Sequence, residues 1–229
     1  MRFAALSTLL ALGTVVSASA LPRVLDAYDL AQPLLEEREV PLLKCESEPV
    51  YVGALKLVSS SGRELPAAFE GLRNADGYQQ LDVEKAGQSA RIENFAFTSC
   101  NSSFTGYQYE AGKAAEVFFG RLQPAHLQDK RCVSASRLAS DNARLVAAKC
   151  SPSDDSGQLL QFWSLTKQPT GSGDGYDYYV NFLGKPAGDS EDFPGGYTLS
   201  KVTRGANKLV KLAFTEEEGA RSPYFLKLA

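Results

Sequence analysis

The sequence predicts an all-β fold built from three similar units, and three observations carry that prediction. A strand-like segment recurs as Ala90–Cys100, Ala143–Cys150 and Asn207–Phe214, each followed by a polar turn and a short strand carrying Tyr107, Trp163 or Tyr224. Upstream of each copy lie two further matching strands, so that every copy holds four. No stretch after residue 50 sustains a helical period, whereas short runs of Val, Leu, Phe and Tyr bounded by Gly, Pro, Asn and Asp are frequent. Units repeating every roughly 50–60 residues cannot each close a core, and must bury their apolar faces against one another. Three four-stranded units joined in this way predict a β-trefoil with pseudo-threefold symmetry over residues 45–229.

In the first copy the strands are predicted at Tyr51–Leu55, Gln80–Val83, Ala90–Cys100 and from Tyr107. The second copy places them at Val117–Leu122, Cys132–Ala135, Ala143–Cys150 and from Trp163, and the third at Tyr178–Phe182, Tyr197–Ser200, Asn207–Phe214 and from Tyr224. The rings of Tyr107, Trp163 and Tyr224 then hold equivalent positions and are expected to pack against each other in the barrel core. Between the first and second strands of each copy run polar stretches, Ser59–Gly77, Gln123–Arg131 and Gly184–Gly196, whose equivalent positions offer a working surface on a rigid scaffold. The Gly- and Ser-rich stretch Gln168–Gly175 is expected to join the second copy to the third.

Residues 1–20 read as a signal peptide: Arg2, an apolar run from Phe3 to Val16, and the small-residue cleavage site Ala18-Ser19-Ala20. That run is shorter than the roughly 20 apolar residues of a membrane span, and no other run of spanning length follows, so a secreted, extracellular protein is expected. Residues 21–44 lie outside the repeats, are acidic at Glu36-Glu37-Arg38-Glu39 and are interrupted by Pro22, Pro33 and Pro41; they read as an N-terminal strap or a pro-segment. Losing residues 1–20 removes Arg2 and no acid, which takes the formal charge from −3 to −4. Nucleic acid is not an expected partner, because its binding needs a concentrated basic face. The four cysteines of this chain read as disulfides. Cys132 and Cys150 fall in adjacent strands and are expected to pair, which leaves Cys45 with Cys100. With a single histidine and these spacings no metal site is expected, nor any cofactor. Asn101-Ser102-Ser103 is an N-glycosylation sequon.

The middle copy carries a signature. Cys132-Val133, Cys150 and Gln161-Phe162-Trp163 resemble, in order and spacing, the Cys-Leu, Cys and Gln-x-Trp elements of ricin-B-type lectin repeats. Thr105-Gly106-Tyr107 and Ser222-Pro223-Tyr224 stand at the Gln-x-Trp position in degenerate form. The resemblance implies that the Trp fills the core and the Gln tethers neighbouring backbone. It also implies a sugar site per copy, made of an acid after the Cys-Leu pair, a stacking aromatic before the second Cys and an amide before Gln-x-Trp. Carboxylates and amides match paired sugar hydroxyls, and an aromatic face covers the apolar side of the ring. The first copy supplies the acid as Asp82 but has Thr98 and Phe104 at the other two positions. The second has Ser134, Ala148 and Leu160, and the third Ser200, Leu212 and Arg221. No copy is complete, so Tyr176, Tyr178 and Tyr179 are the alternative stacking surface, and Asp82, Tyr176 and Tyr179 are the candidate carbohydrate-binding residues.

Enzyme chemistry is not expected. Nucleophilic catalysis by Ser or Cys usually needs a nearby base, and the single histidine, His126, reads as a solvated loop residue. The acidic clusters Asp154-Asp155, Asp189–Asp192 and Glu216–Glu218 read as exposed turns, without the burial that tunes a catalytic acid. The function expected is recognition, with carbohydrate as the leading ligand. The alternative is a β-trefoil protease inhibitor or other secreted protein-binding effector, working through the Ser59–Gly77 or Gly184–Gly196 loop.

Overall fold

Among the described residues fifteen strands account for the regular structure, and the only helical element is a 3-10 turn at Ser156–Leu160. The computed structural model describes residues 39–108, 116–127, 130–171, 175–188, 194–217 and 219–229. The expected signal peptide and most of the expected strap lie outside them. In chain order the strands are β1 (Lys44–Cys45), β2 (Tyr51–Ser59), β3 (Glu64–Pro66), β4 (Ala68–Arg73), β5 (Gln79–Lys85), β6 (Gln88–Ser89) and β7 (Asn94–Asn101). There follow β8 (Val117–Pro124), β9 (Arg131–Ala135), β10 (Ala143–Lys149), β11 (Trp163–Pro169), β12 (Tyr176–Phe182), β13 (Gly196–Arg204), β14 (Asn207–Thr215) and β15 (Tyr224–Leu228).

Six of these strands close on themselves. The order β2-β7-β8-β11-β12-β15 returns to β2 through the register Leu228↔Leu55 to Tyr224↔Ser59, which leaves the ring no free edge. Side chains of alternate parity fill it: Leu55, Leu57, Phe95, Phe97, Leu122, Trp163, Leu165, Val180, Leu226 and Leu228 are each at most 1% exposed. The β7 and β8 backbones approach so closely that a Cβ on Gly120 would collide with the Thr98 carbonyl, so only glycine fits there.

Three hairpins, β4/β5, β9/β10 and β13/β14, meet beside the barrel. Their strands β5, β10 and β14 pair with one another in all three combinations, closing a triangle. Leu81, Val83, Val133, Leu145, Val210 and Leu212 from these hairpins join the barrel side chains in one hydrophobic core. Both expected disulfides are present, Cys45–Cys100 and Cys132–Cys150. The described end of the strap is held in place as well. Leu42 bridges Ser153, the Leu43 N–H donates to the Pro152 carbonyl, and β1 pairs with β7.

Two strand expectations fail, both in the first copy. Ser59–Gly77 is not a polar loop: it contains β3 and β4, and Leu65 of β3, Ala67 between the two and Phe69 of β4 point inward at 8%, 0% and 1% exposure. Pro66 disguises that two-residue period, and proline is tolerated because β3 lies at an edge of the sheet. The first copy therefore takes β2, β4, β5 and β7, and Tyr107 falls outside any strand. After β7 the chain curls around the buried Asp154. Its Oδ1 accepts from the Ser102 hydroxyl at 2.5 Å, and its Oδ2 from the Ser103 and Phe104 N–H groups at 2.7 and 3.3 Å.

The three aromatics consequently do not share one contact. Tyr107 lies against Phe119, Trp163 against Phe182, and the half-buried Tyr224 beneath the Lys201 ammonium. Trp163 does fill the core, donating its indole N–H to the Val133 carbonyl at 2.9 Å. Gln161 tethers backbone as the resemblance implies, accepting from the Ser151 N–H and donating to the Lys149 carbonyl. Among the described residues no helix is long and apolar enough to cross a membrane.

Candidate functional site

The outer face of the barrel is where strand parity sends the polar and the surplus aromatic side chains. On β11 the outward set includes Thr166 and Gln168, on β12 Tyr179 and Asn181, and on β15 Phe225. These five residues line a groove of about 370 Å³. That volume lies within the roughly 300–1,000 Å³ of small-ligand sites. Cross-strand register sets the groove: Thr166 stands opposite Tyr179, and Tyr179 opposite Lys227. Tyr179 and Phe225 meet edge to face with ring centroids 5.4 Å apart and a 67° interplanar angle.

Charge beside the groove is internally compensated. Lys227 Nζ lies 2.9 Å from Asp177 and 3.4 Å from Glu64, and Glu64 is also bonded to Lys56 at 2.7 Å. Hydrogen bonding to Lys227 holds the Asp177 carboxyl below the usual carboxylate range. Burial, then the Asp177 carboxylate, push the Tyr179 phenol up, so its hydroxyl stays neutral and donates to Asp177 at 3.3 Å. The groove thus offers two aromatic rings, two amides and the Thr166 hydroxyl, with no charged side chain among its lining residues.

The structure separates the three candidate carbohydrate residues. Tyr176 and Tyr179 differ by an odd number of positions on β12 and face opposite sides of it. Tyr176 is 53% exposed beneath the Lys167 ammonium, while Tyr178, on its side, stacks on Tyr51 with centroids 3.9 Å apart. Only Tyr179 lines the groove. The candidate Asp82 does not line the groove: it is 1% exposed, on β5 opposite Leu209, in the triangle of hairpins.

Burial lifts the Asp82 carboxyl to about 6, with the Glu70 backbone pulling the other way but making no hydrogen bond of normal geometry. A folded pKa above the ordinary 3.8 means that its stabilising contribution is complete below about pH 4 and is lost as pH rises through about 6. Asp82→Asn is therefore expected to be more stable than the parent by about 3 kcal/mol near neutral pH, with the gap closing toward about pH 4. Urea unfolding of both proteins across that range reads the difference directly.

His126 is not simply solvated. Its Nδ1 lies 2.6 Å from Oε1 of Glu93, whose side chain is 3% exposed, and Arg91 Nη2 approaches His126 Nε2 at 3.1 Å. Glu93 Oε2 accepts from the Phe69 N–H at 2.7 Å, which ties β4 to the segment entering β7. Burial raises the Glu93 carboxyl, opposed by that N–H and by His126 and Arg91. The cavity here, about 350 Å³, is lined by Arg91, Ile92, Glu93, Asn94, Ala125 and His126, with neither hydroxyl nor thiol among them.

Asn101 is exposed at the end of β7, opposite Lys44 of β1. Of the acidic clusters, Asp154 is buried as a loop anchor, and Asp189–Asp192 lies outside the described residues. The Gly184–Gly196 stretch is described only in part. No family model matches this chain, and no curated protein matches it.

The groove was missed in sequence because its residues come from three strands, and Phe225 stands next to Tyr224, which drew the core assignment. The signal that separates Tyr176 from Tyr179 was present, in the two-residue period of β12.

Proposed function

We propose that this chain is a secreted β-trefoil recognition module that binds neutral carbohydrate on the outer face of its barrel. The closed ring of six strands and the triangle of three hairpins support the trefoil reading. Two disulfides support an oxidising compartment. The observation that carries the ligand class is the pairing of Tyr179 and Phe225 with Thr166, Gln168 and Asn181 in one groove. An aromatic face covers the apolar side of a sugar ring, while amides and hydroxyls exchange hydrogen bonds with its hydroxyl groups. Compensation of Lys227 by Asp177 and Glu64 leaves no charge to select an acidic sugar.

Affinity electrophoresis through gels containing neutral polysaccharides tests this. The parent chain is expected to be retarded by at least one of them. Tyr179→Ala removes the stacking ring and is expected to weaken binding about tenfold, whereas Tyr176→Ala, on the other side of β12, leaves it unchanged. Equal retardation of parent and Tyr179→Ala would move the site away from the groove.

A further inference from the structure

The turns of the three hairpins bring together charges that are far apart in sequence. Arg137 lies in the β9–β10 turn, Arg144 on β10, and Arg204 at the end of β13, and all three line one cavity of about 290 Å³. Asn74, Asp76 and Gln80, from the β4–β5 hairpin, complete its other side. Asp76 is the one carboxylate in that lining, and it accepts a hydrogen bond from the Asn74 amide at 3.2 Å. None of the three arginines forms a salt bridge with a carboxylate among the described residues.

Crowding of this kind works against the bare protein. Burial first, then the nearby Arg204 and Arg137, lower the Arg144 pKa. Arg144 Nη1 is held by the Asn142 side chain at 2.8 Å and by the Asn142 and Ala143 carbonyls, which fixes the guanidinium beside the cavity. A second and independent observation points the same way. Gln80 is 1% exposed, lines this cavity, and its Nε2 has no hydrogen-bond partner. A buried donor without an acceptor is costly, and three fork-shaped cations beside it match the geometry of a multiply charged oxyanion.

We propose that this cavity is a binding site for a tetrahedral oxyanion, the sulfate or phosphate group of a small ester, held by Arg137, Arg144 and Arg204 with Gln80 at its base. The site is separate from the outer groove and does not depend on the carbohydrate reading. Calorimetric titration of the disulfide-bonded chain with inorganic sulfate and inorganic phosphate, against chloride at matched ionic strength, measures it. Saturable binding of sulfate or phosphate in excess of chloride is expected. Arg137→Gln combined with Arg204→Gln, both exposed positions whose loss leaves the core intact, is expected to weaken it by at least about tenfold. Tyr179→Ala is expected to leave it unchanged. Titration with a sulfated and a phosphorylated monosaccharide then identifies which ester is the source. Sulfate and phosphate binding no better than chloride, or equally well to the double variant, would overturn the proposal.

Discussion

Trp163→Ala is expected to remove about 3–5 kcal/mol of stability, the largest effect of any single substitution considered. The indole is fully buried in the barrel, packs edge-on against Phe182 with centroids 5.1 Å apart, and donates to the Val133 carbonyl. Truncation leaves a cavity that the closed ring cannot collapse to fill, because its backbone is fixed by pairing on both sides. It also unties β9 from β11. Domains of this size hold about 5–15 kcal/mol in all, so the variant is expected to sit near the edge of folding. Trp163→Phe separates the two contributions: it keeps most of the volume and loses the hydrogen bond, at a cost of about 1–2 kcal/mol. Denaturant unfolding of both variants measures the difference, and equal losses would show that packing in the ring is not what Trp163 supplies.

Removing the Cys45–Cys100 disulfide is expected to cost about 4 kcal/mol, against about 3 kcal/mol for Cys132–Cys150. The ordering follows from sequence separation, 55 residues against 18, since a longer closed loop restrains the unfolded chain more. The first bond has a local consequence as well. It clamps β1 onto β7, next to the strap residues that bridge Ser153 and Pro152. Cys45→Ser/Cys100→Ser is therefore expected to expose the chain near Val40–Cys45 to limited proteolysis, while Cys132→Ser/Cys150→Ser, inside the β9/β10 hairpin, is not. Equal unfolding midpoints for the two pairs would contradict the loop-length argument.

Much of the fold was legible because the second and third copies obey simple rules. Val117–Leu122, Ala143–Cys150 and Tyr197–Ser200 alternate or run apolar between turn residues, and each became a strand. Cysteine pairing followed from strand adjacency. The first copy was misread where a local rule was broken: Pro66 splits the inward series Leu65, Ala67 and Phe69, and Asp154, distant in sequence, draws residues 102–104 out of an extended path. The burial of the candidate acid Asp82 was not legible because it depends on β14, which pairs with it from over a hundred residues away. The groove and the arginine cavity were illegible for the same reason. Each is an encounter of strands and turns that tertiary closure alone creates, and no single segment announces either one.

The central claim is that Tyr179 and Phe225 form a sugar-binding face, and a glycan array on the disulfide-bonded chain, run beside Tyr179→Ala, tests it most directly. Signals on neutral glycans that disappear in the variant are the result predicted. A blank array, or signals that persist without the Tyr179 ring, would contradict it.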